Sequence, residues 1–211
     1  CALPISLPNH FQWLRTPFPE NFYSLKERPG YLRLKGKQSI GNWFEQALIA
    51  RRQQSAKFQA TTTLDFEPEN FQQMAGLVCY YNAFKYHYLY VSNDVENGKH
   101  LAVVSCLGDP STASTYPLYE LDSKHSVIPL DSDEPIHLRA NVDGAELVFS
   151  WSLDGLGWYQ VPIILDYSLI SDEAGKGAGN SFTGAFVGMC CQDISGSNKN
   201  ADFEYFGYVE S

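Results

Sequence analysis

From Tyr31 onward, apolar and polar side chains alternate with a period of two. The stretch KFQATTTLDFE sets Phe58, Ala60, Thr62, Leu64 and Phe66 on one side, and Gln59, Thr61, Thr63, Asp65 and Glu67 on the other. That alternation predicts a strand with one buried and one wet face. MAGLVCYYN, YHYLYVSND, HLAVVSCLG, IHLRANV, AELVFSWS, WYQVPII, FTGAFVGMCC and DFEYFGYVE follow at short spacing. Asn97-Gly98, Asp143-Gly144 and Asp154-Gly155 lie between such runs, and glycine supplies the positive φ that a tight hairpin turn demands. Only Ile40 to Gln46 and Tyr167 to Glu173 read as short helices. The fold class expected is all-β, an antiparallel two-sheet β-sandwich. Residues 1–30 carry Pro4, Pro8, Pro17, Pro19 and Pro29 without a sustained period. They read as an arm or linker from a missing catalytic domain, with the sandwich spanning 31–211. Phe11, Trp13, Phe18 and Phe22 are then available to dock, with Phe18 and Phe22 exposed on a lone sandwich.

Length and composition sharpen this picture. A chain of 211 residues buries roughly 70% of its unfolded surface, so it needs no disulfide or metal staple. Net charge is −9, and no basic cluster exceeds Arg51-Arg52, which argues against a nucleic-acid partner. No apolar run approaches the ~20 residues of a membrane span. The five cysteines form no CxxC pair, so no zinc site is expected, and free buried thiols in a reducing, cytoplasmic setting are favoured. Cys1 has no preceding Met, so the chain reads as a fragment or a processed product. A secreted or lipid-anchored form, whose mature terminus also begins with cysteine, is the less favoured alternative.

Candidate chemistry is sparse. Cys190 and Cys191, adjacent in FTGAFVGMCCQD, point to opposite faces of a strand and cannot share a metal; small core residues are the expected role. His10, His87, His100, His125 and His137 show no metal-binding spacing, and no nucleophile elbow is present. DEAGKGAGNS, Asp172 to Ser181, is Gly-rich but lacks the phosphate-loop order and leads into a strand. Asp65, Glu67 and Glu69, and the pair Asp202 and Glu204, are expected to be solvated carboxylates. No cofactor is required; a structural calcium on loop oxygens is the sharper alternative. Tyr86, Tyr88 and Tyr90 share one strand face, where cross-strand packing is favoured over a sugar-stacking platform at Tyr86 and Tyr88.

Several stretches resemble one family: YLRLKGKQSI, LIARRQQSAKFQATTTLDFEPENFQQMAGLVCYYN, YHYLYVSND, GAELVFSWSLDG and FTGAFVGMCCQDISG…ADFEYFGY. They are similar to the carboxy-terminal β-sandwich of glycoside hydrolase family 43 β-xylosidases, and NFYSLKERPGYLRL resembles the linker before it. The resemblance implies a concanavalin A-like jelly roll. It implies a β-propeller catalytic domain as partner, carrying the catalytic acids, so no catalytic residue transfers to this chain. It also implies that a sandwich loop lends a phenylalanine to the propeller's active-site mouth. The matching position is Phe182, with Phe186 the weaker choice. The ligand implied is a xylo-oligosaccharide or related carbohydrate, and a homo-oligomer is a further expected assembly. The competing expectation is a free-standing, non-catalytic carbohydrate-binding module.

Overall fold

The computed structural model describes residues 7–108, 118–120, 127–175 and 184–211. Two antiparallel sheets make up the fold. The first runs in the order β1 (Phe11–Trp13), β4 (Ala47–Arg52), β14 (Phe186–Asp193), β6 (Gln73–Asn82), β7 (Lys85–Asp94), β8 (Gly98–Leu107) and β10 (Val127–Pro129). β9 (Leu118–Glu120) also pairs with β8. The second runs β13 (Tyr159–Asp166), β12 (Glu146–Ser152), β11 (Ile136–Asp143), β5 (Lys57–Asp65), β15 (Asn200–Glu210), β3 (Leu32–Lys35) and β2 (Tyr23–Ser24). Among the described residues no helix is long and apolar enough to cross a membrane.

The apolar side of the alternation read from β5 is what the structure shows, with Phe58, Ala60, Thr62, Leu64 and Phe66 all buried; on the other side Thr63 is buried too, at 6% exposed. Across from them, Leu77, Cys79 and Tyr81 of β6 and Val187, Met189 and Cys191 of β14 complete one core between the sheets. The first sheet buries its outer face too. Ile40, Leu48, Val78, Tyr80, Tyr86, Tyr88, Cys106 and Cys190 form a second apolar cluster there. A strand packed on both faces needs no polar positions, which is why MAGLVCYYN and FVGMCC read as nearly unbroken apolar runs. Cys190 and Cys191 fall in different clusters, on opposite faces, as their adjacency requires. Burial pushes the Cys79 and Cys190 thiols up to about 12, which keeps them protonated and inert.

Turn chemistry sets the registers. Asp143 pairs with Glu146, leaving a two-residue loop whose Gly144 has φ 61°. At Asn97-Gly98 the loop is longer, Asp94 pairing with Gly98 at φ 64°. Asp94 Oδ1 accepts from the backbone of Glu96 at 2.9 Å and of Asn97 at 2.6 Å, closing that turn.

Three expectations need correction. Ile40 to Gln46 is not helical. Gln46 Nε2 donates to Ile40 O at 2.5 Å and to Asn42 O at 2.6 Å, folding the segment into a looped cover. At Tyr167 to Glu173 only two single 3₁₀ turns form, Tyr167–Leu169 and Glu173–Gly175. The proline-rich arm is no free connector either: its residues supply β1 at the edge of one sheet and β2 at the edge of the other. The sandwich therefore begins well before residue 31. Phe22 is only 1% exposed and packs in the core, whereas Phe18 stays 59% exposed.

His87 sits in this interior. Its Nδ1 lies 2.7 Å from Ser105 Oγ and its Nε2 lies 3.2 Å from Asp166 O. Burial depresses its pKa to about 4 despite that carbonyl. A lowered folded value means the unfolded chain takes up the proton first. The stability contributed by neutral His87 is thus complete above pH 6.5 and drains away as pH falls toward 4. Unfolding free energies from urea titrations at pH 7 and pH 4.5 should differ by about 2 kcal/mol from this residue alone, and His87→Gln should flatten that part of the profile.

Candidate functional site

The Gly-rich loop is reached from its two described ends. On one side the chain leaves β13, where Asp166 Oδ1 caps the Tyr167–Leu169 turn by accepting from Ser168 N at 3.0 Å. Asp172 follows, and its Oδ1 accepts the hydroxyl proton of Tyr81. The same oxygen accepts from Gly184 N at 3.4 Å on the returning side. Tyr81 is a buried β6 residue, so one carboxylate ties both ends of the loop to the core. Beyond Gly184, Gln53 N donates to Ala185 O at 2.9 Å, and Gln53 Oε1 accepts from Tyr167 Oη at 2.9 Å. Gly184 has φ 72°, and a Cβ there would run into Arg52 Nη1. The left-handed backbone is what favours glycine there, since the Arg52 side-chain end could swing aside. Phe182 itself lies outside the described residues.

Phe186 opens β14 and is half-buried rather than interior. The guanidinium of Arg52 sits 4.8 Å over its ring. Beside them is a half-open cleft of about 340 Å³, whose walls include Trp13, Leu14, Leu48, Arg52, Tyr80 and Phe186. The cleft is an aromatic-walled hollow at the foot of the loop, with Arg52 as the one cation and no acid on its walls among the described residues.

The other candidate residues are committed elsewhere. Tyr88 is 0% exposed and donates to Cys190 O at 3.0 Å; Tyr86 is 2% exposed. Rings with no open face cannot stack on a sugar, so the favoured cross-strand packing is what these two tyrosines do and the alternative platform at Tyr86 and Tyr88 is set aside. Asp65 and Asp202 are cross-strand neighbours joined by Arg28, at 2.6 and 2.8 Å. Arg33 forks onto Asp202 with two bonds of 2.8 Å. Burial pushes the Asp202 carboxyl up, but Arg33 and Arg28 outweigh it and hold the pKa below the ordinary value. Glu67 pairs with Lys99, and Glu69 with Lys199 at 2.7 Å. The expected face shared by Asp202 and Glu204 is broken by a register shift between Phe203 and Tyr205. Among the described residues no three His, Cys, Asp or Glu side chains are grouped to hold a metal.

Sequence reading missed Asp172, Tyr81, Arg52 and Trp13 as parts of this site. Asp172 meets Tyr81 from 91 positions away, and nothing local to either residue marks the pair.

The sheets and the loop define a class: a concanavalin A-like sandwich with a braced loop and an aromatic cleft, its candidate acids paired rather than opposed. A family model described as the beta xylosidase C-terminal concanavalin A-like domain matches residues 5–209. A putative beta-xylosidase of Escherichia coli is 40% identical over 96% of this chain and 36% of its own length. A beta-xylosidase of Bacillus subtilis is 41% identical over 95% of this chain and 36% of its own length. The crystal structure of a xylan beta-1,4-xylosidase from Bacillus halodurans superposes with a TM-score of 0.88 at 37% identity, over 99% of this chain and 38% of that one. The chain belongs to the beta-xylosidase C-terminal family of glycoside hydrolase family 43 and is its accessory sandwich. It spans little more than a third of the relatives it matches.

Proposed function

We propose that this sandwich shapes the active-site mouth of a β-propeller glycosidase acting on xylo-oligosaccharides or arabinofuranose-ended relatives of them. The Gly-rich loop presents Phe182 to that mouth. The observation that carries this reading is the brace of Tyr81, Asp172 and Gly184, which anchors the foot of the loop to the core. A phenylalanine delivered from a fixed base closes a short pocket with apolar area and excludes water from the sugar. The propeller supplies acid and base; this chain supplies the wall.

The test is a joined protein in which this chain replaces the matching C-terminal third of the Bacillus subtilis relative. Hydrolysis of a nitrophenyl xyloside should return to within a few-fold of the unaltered enzyme. A joined protein that folds and is inactive contradicts the proposal.

A further inference from the structure

The wet face of the seven-stranded sheet carries a cluster that the reading above does not use. Strand register sets Ser150, Arg139, Thr61 and Gly207 in one row across β12, β11, β5 and β15. The adjacent row holds His137, Thr63 and Tyr205. The loop after β12 folds back over this face, as Gly155 packs against the His137 ring, so that a Cβ on it would lie 3.4 Å away. Trp158 is fixed there by donating from Nε1 to Gly155 O at 3.2 Å, and Arg139 Cζ lies 3.4 Å from the centre of its ring.

Among the described residues, the Arg139 guanidinium has the Trp158 ring as its recorded partner. Its Nε is buried without an acceptor, and it forms no ion pair among the described residues. Arg28 and Arg33, near the same sheet, behave differently: hydrogen bonds to Asp202 raise both their pKa values. Burial alone acts on Arg139, and lowers its value. A guanidinium fork without a carboxylate is matched, in geometry and charge, to a carboxylate arriving from outside.

On the other side of Thr61, Tyr205 is 40% exposed and brings its phenol end over Gly207, its Cζ 2.6 Å from where a Cβ would stand. Two strand spacings, roughly 10 Å, separate Arg139 from that ring. The floor between carries the part-exposed hydroxyl of Thr61, while Thr63 beside it is buried and bonded to His137 Nδ1 at 2.9 Å. A ring face, a hydroxyl floor and an unpaired cation together fit a sugar chain that bears an acid.

We propose that this sheet face is a binding platform for an acidic oligosaccharide, in which Arg139 anchors the carboxylate, Trp158 holds the guanidinium and Tyr205 stacks on a pyranose. The platform lies on the second sheet, whereas the loop foot is braced against β6 of the first, so the two proposals fail separately.

Calorimetric titration of this chain tests it, with xylotetraose and with the same xylotetraose carrying one glucuronic acid branch. Work at physiological ionic strength screens the overall charge of −9. The branched sugar should bind about tenfold tighter than the neutral one, the worth of one charge-assisted pair. Arg139→Gln, with an unchanged thermal melt, should erase that preference, and Tyr205→Ala should weaken both sugars. Absence of saturable heat with the branched sugar overturns the proposal, as does equal affinity for the two. Those wild-type titrations decide the matter even where a variant fails to fold. A preference that survives Arg139→Gln also overturns it.

Discussion

Gly188→Val should cost about 3 kcal/mol or more of stability, at the upper end of overpacking effects. Gly188 lies in the middle of β14, between β4 and β6. A Cβ on it would collide with Ile49 O and with Cα and Cβ of Ala50. Two of those three atoms are backbone of a paired strand, so no side-chain rotation relieves them. Nor can β14 move outward, because this sheet has apolar clusters on both faces. A valine there must pry β14 from β4, breaking ladder bonds in the most buried part of the fold. Gly157→Ala is the contrasting case: a Cβ there would meet only Asp154 Oδ1 at 3.8 Å. Its urea midpoint should stay within about 0.5 kcal/mol of the parent, as for other surface changes. Equal midpoints for the two variants would contradict this account of the sheet.

Phe182→Ala should be the most damaging substitution for activity once the chain is part of an intact enzyme. Removing a phenylalanine from a closed apolar contact forfeits about 2 kcal/mol, equivalent to about 30-fold in kcat/KM. On the proposed role, in which the ring positions the sugar and keeps water out, the loss should fall on both kcat and KM. Stability should scarcely change, since Asp172, Tyr81 and Gly184 hold the loop foot. Phe186→Ala is expected to behave the other way. Its ring packs against the outer cluster and carries Arg52, so melting temperature should drop while kcat/KM moves little. Steady-state kinetics and thermal melts on the two variants separate these roles. A Phe182→Ala enzyme with unaltered kcat/KM removes Phe182 from the substrate's surroundings.

The wet sheet was the most readable part of the chain. In β5 the sequence alternates from Phe58 to Phe66 because one face meets the core and the other is largely wet, Thr63 alone being covered on the wet side, where it meets His137. The first sheet was legible only as strands. Its continuous apolar runs announce burial on both sides but not what lies over the outer face, and that ambiguity left Tyr86 and Tyr88 open to a sugar-binding role. The arm was misread because β1 and β2 are three and two residues long, with Pro17 and Pro19 between them. Their strand character comes from partners, β1 lying against β4 nearly forty positions later. Gln46 likewise resembles a helix former until its amide is seen holding Ile40 O and Asn42 O. Asp172 with Tyr81, and Arg139 with Trp158, are meetings that the fold creates; neither side of either pair carries a local signal. Phe182 was named through family resemblance alone, on a segment whose composition suggests only a surface loop.

Nitrophenol release from a nitrophenyl xyloside by this 23.7 kDa chain on its own tests most directly whether its chemistry belongs to another body. The account predicts a rate no higher than that of the heat-denatured sample, at any protein concentration and across the pH range in which the sandwich is folded. Turnover that rises with protein and co-elutes with the purified chain would contradict it.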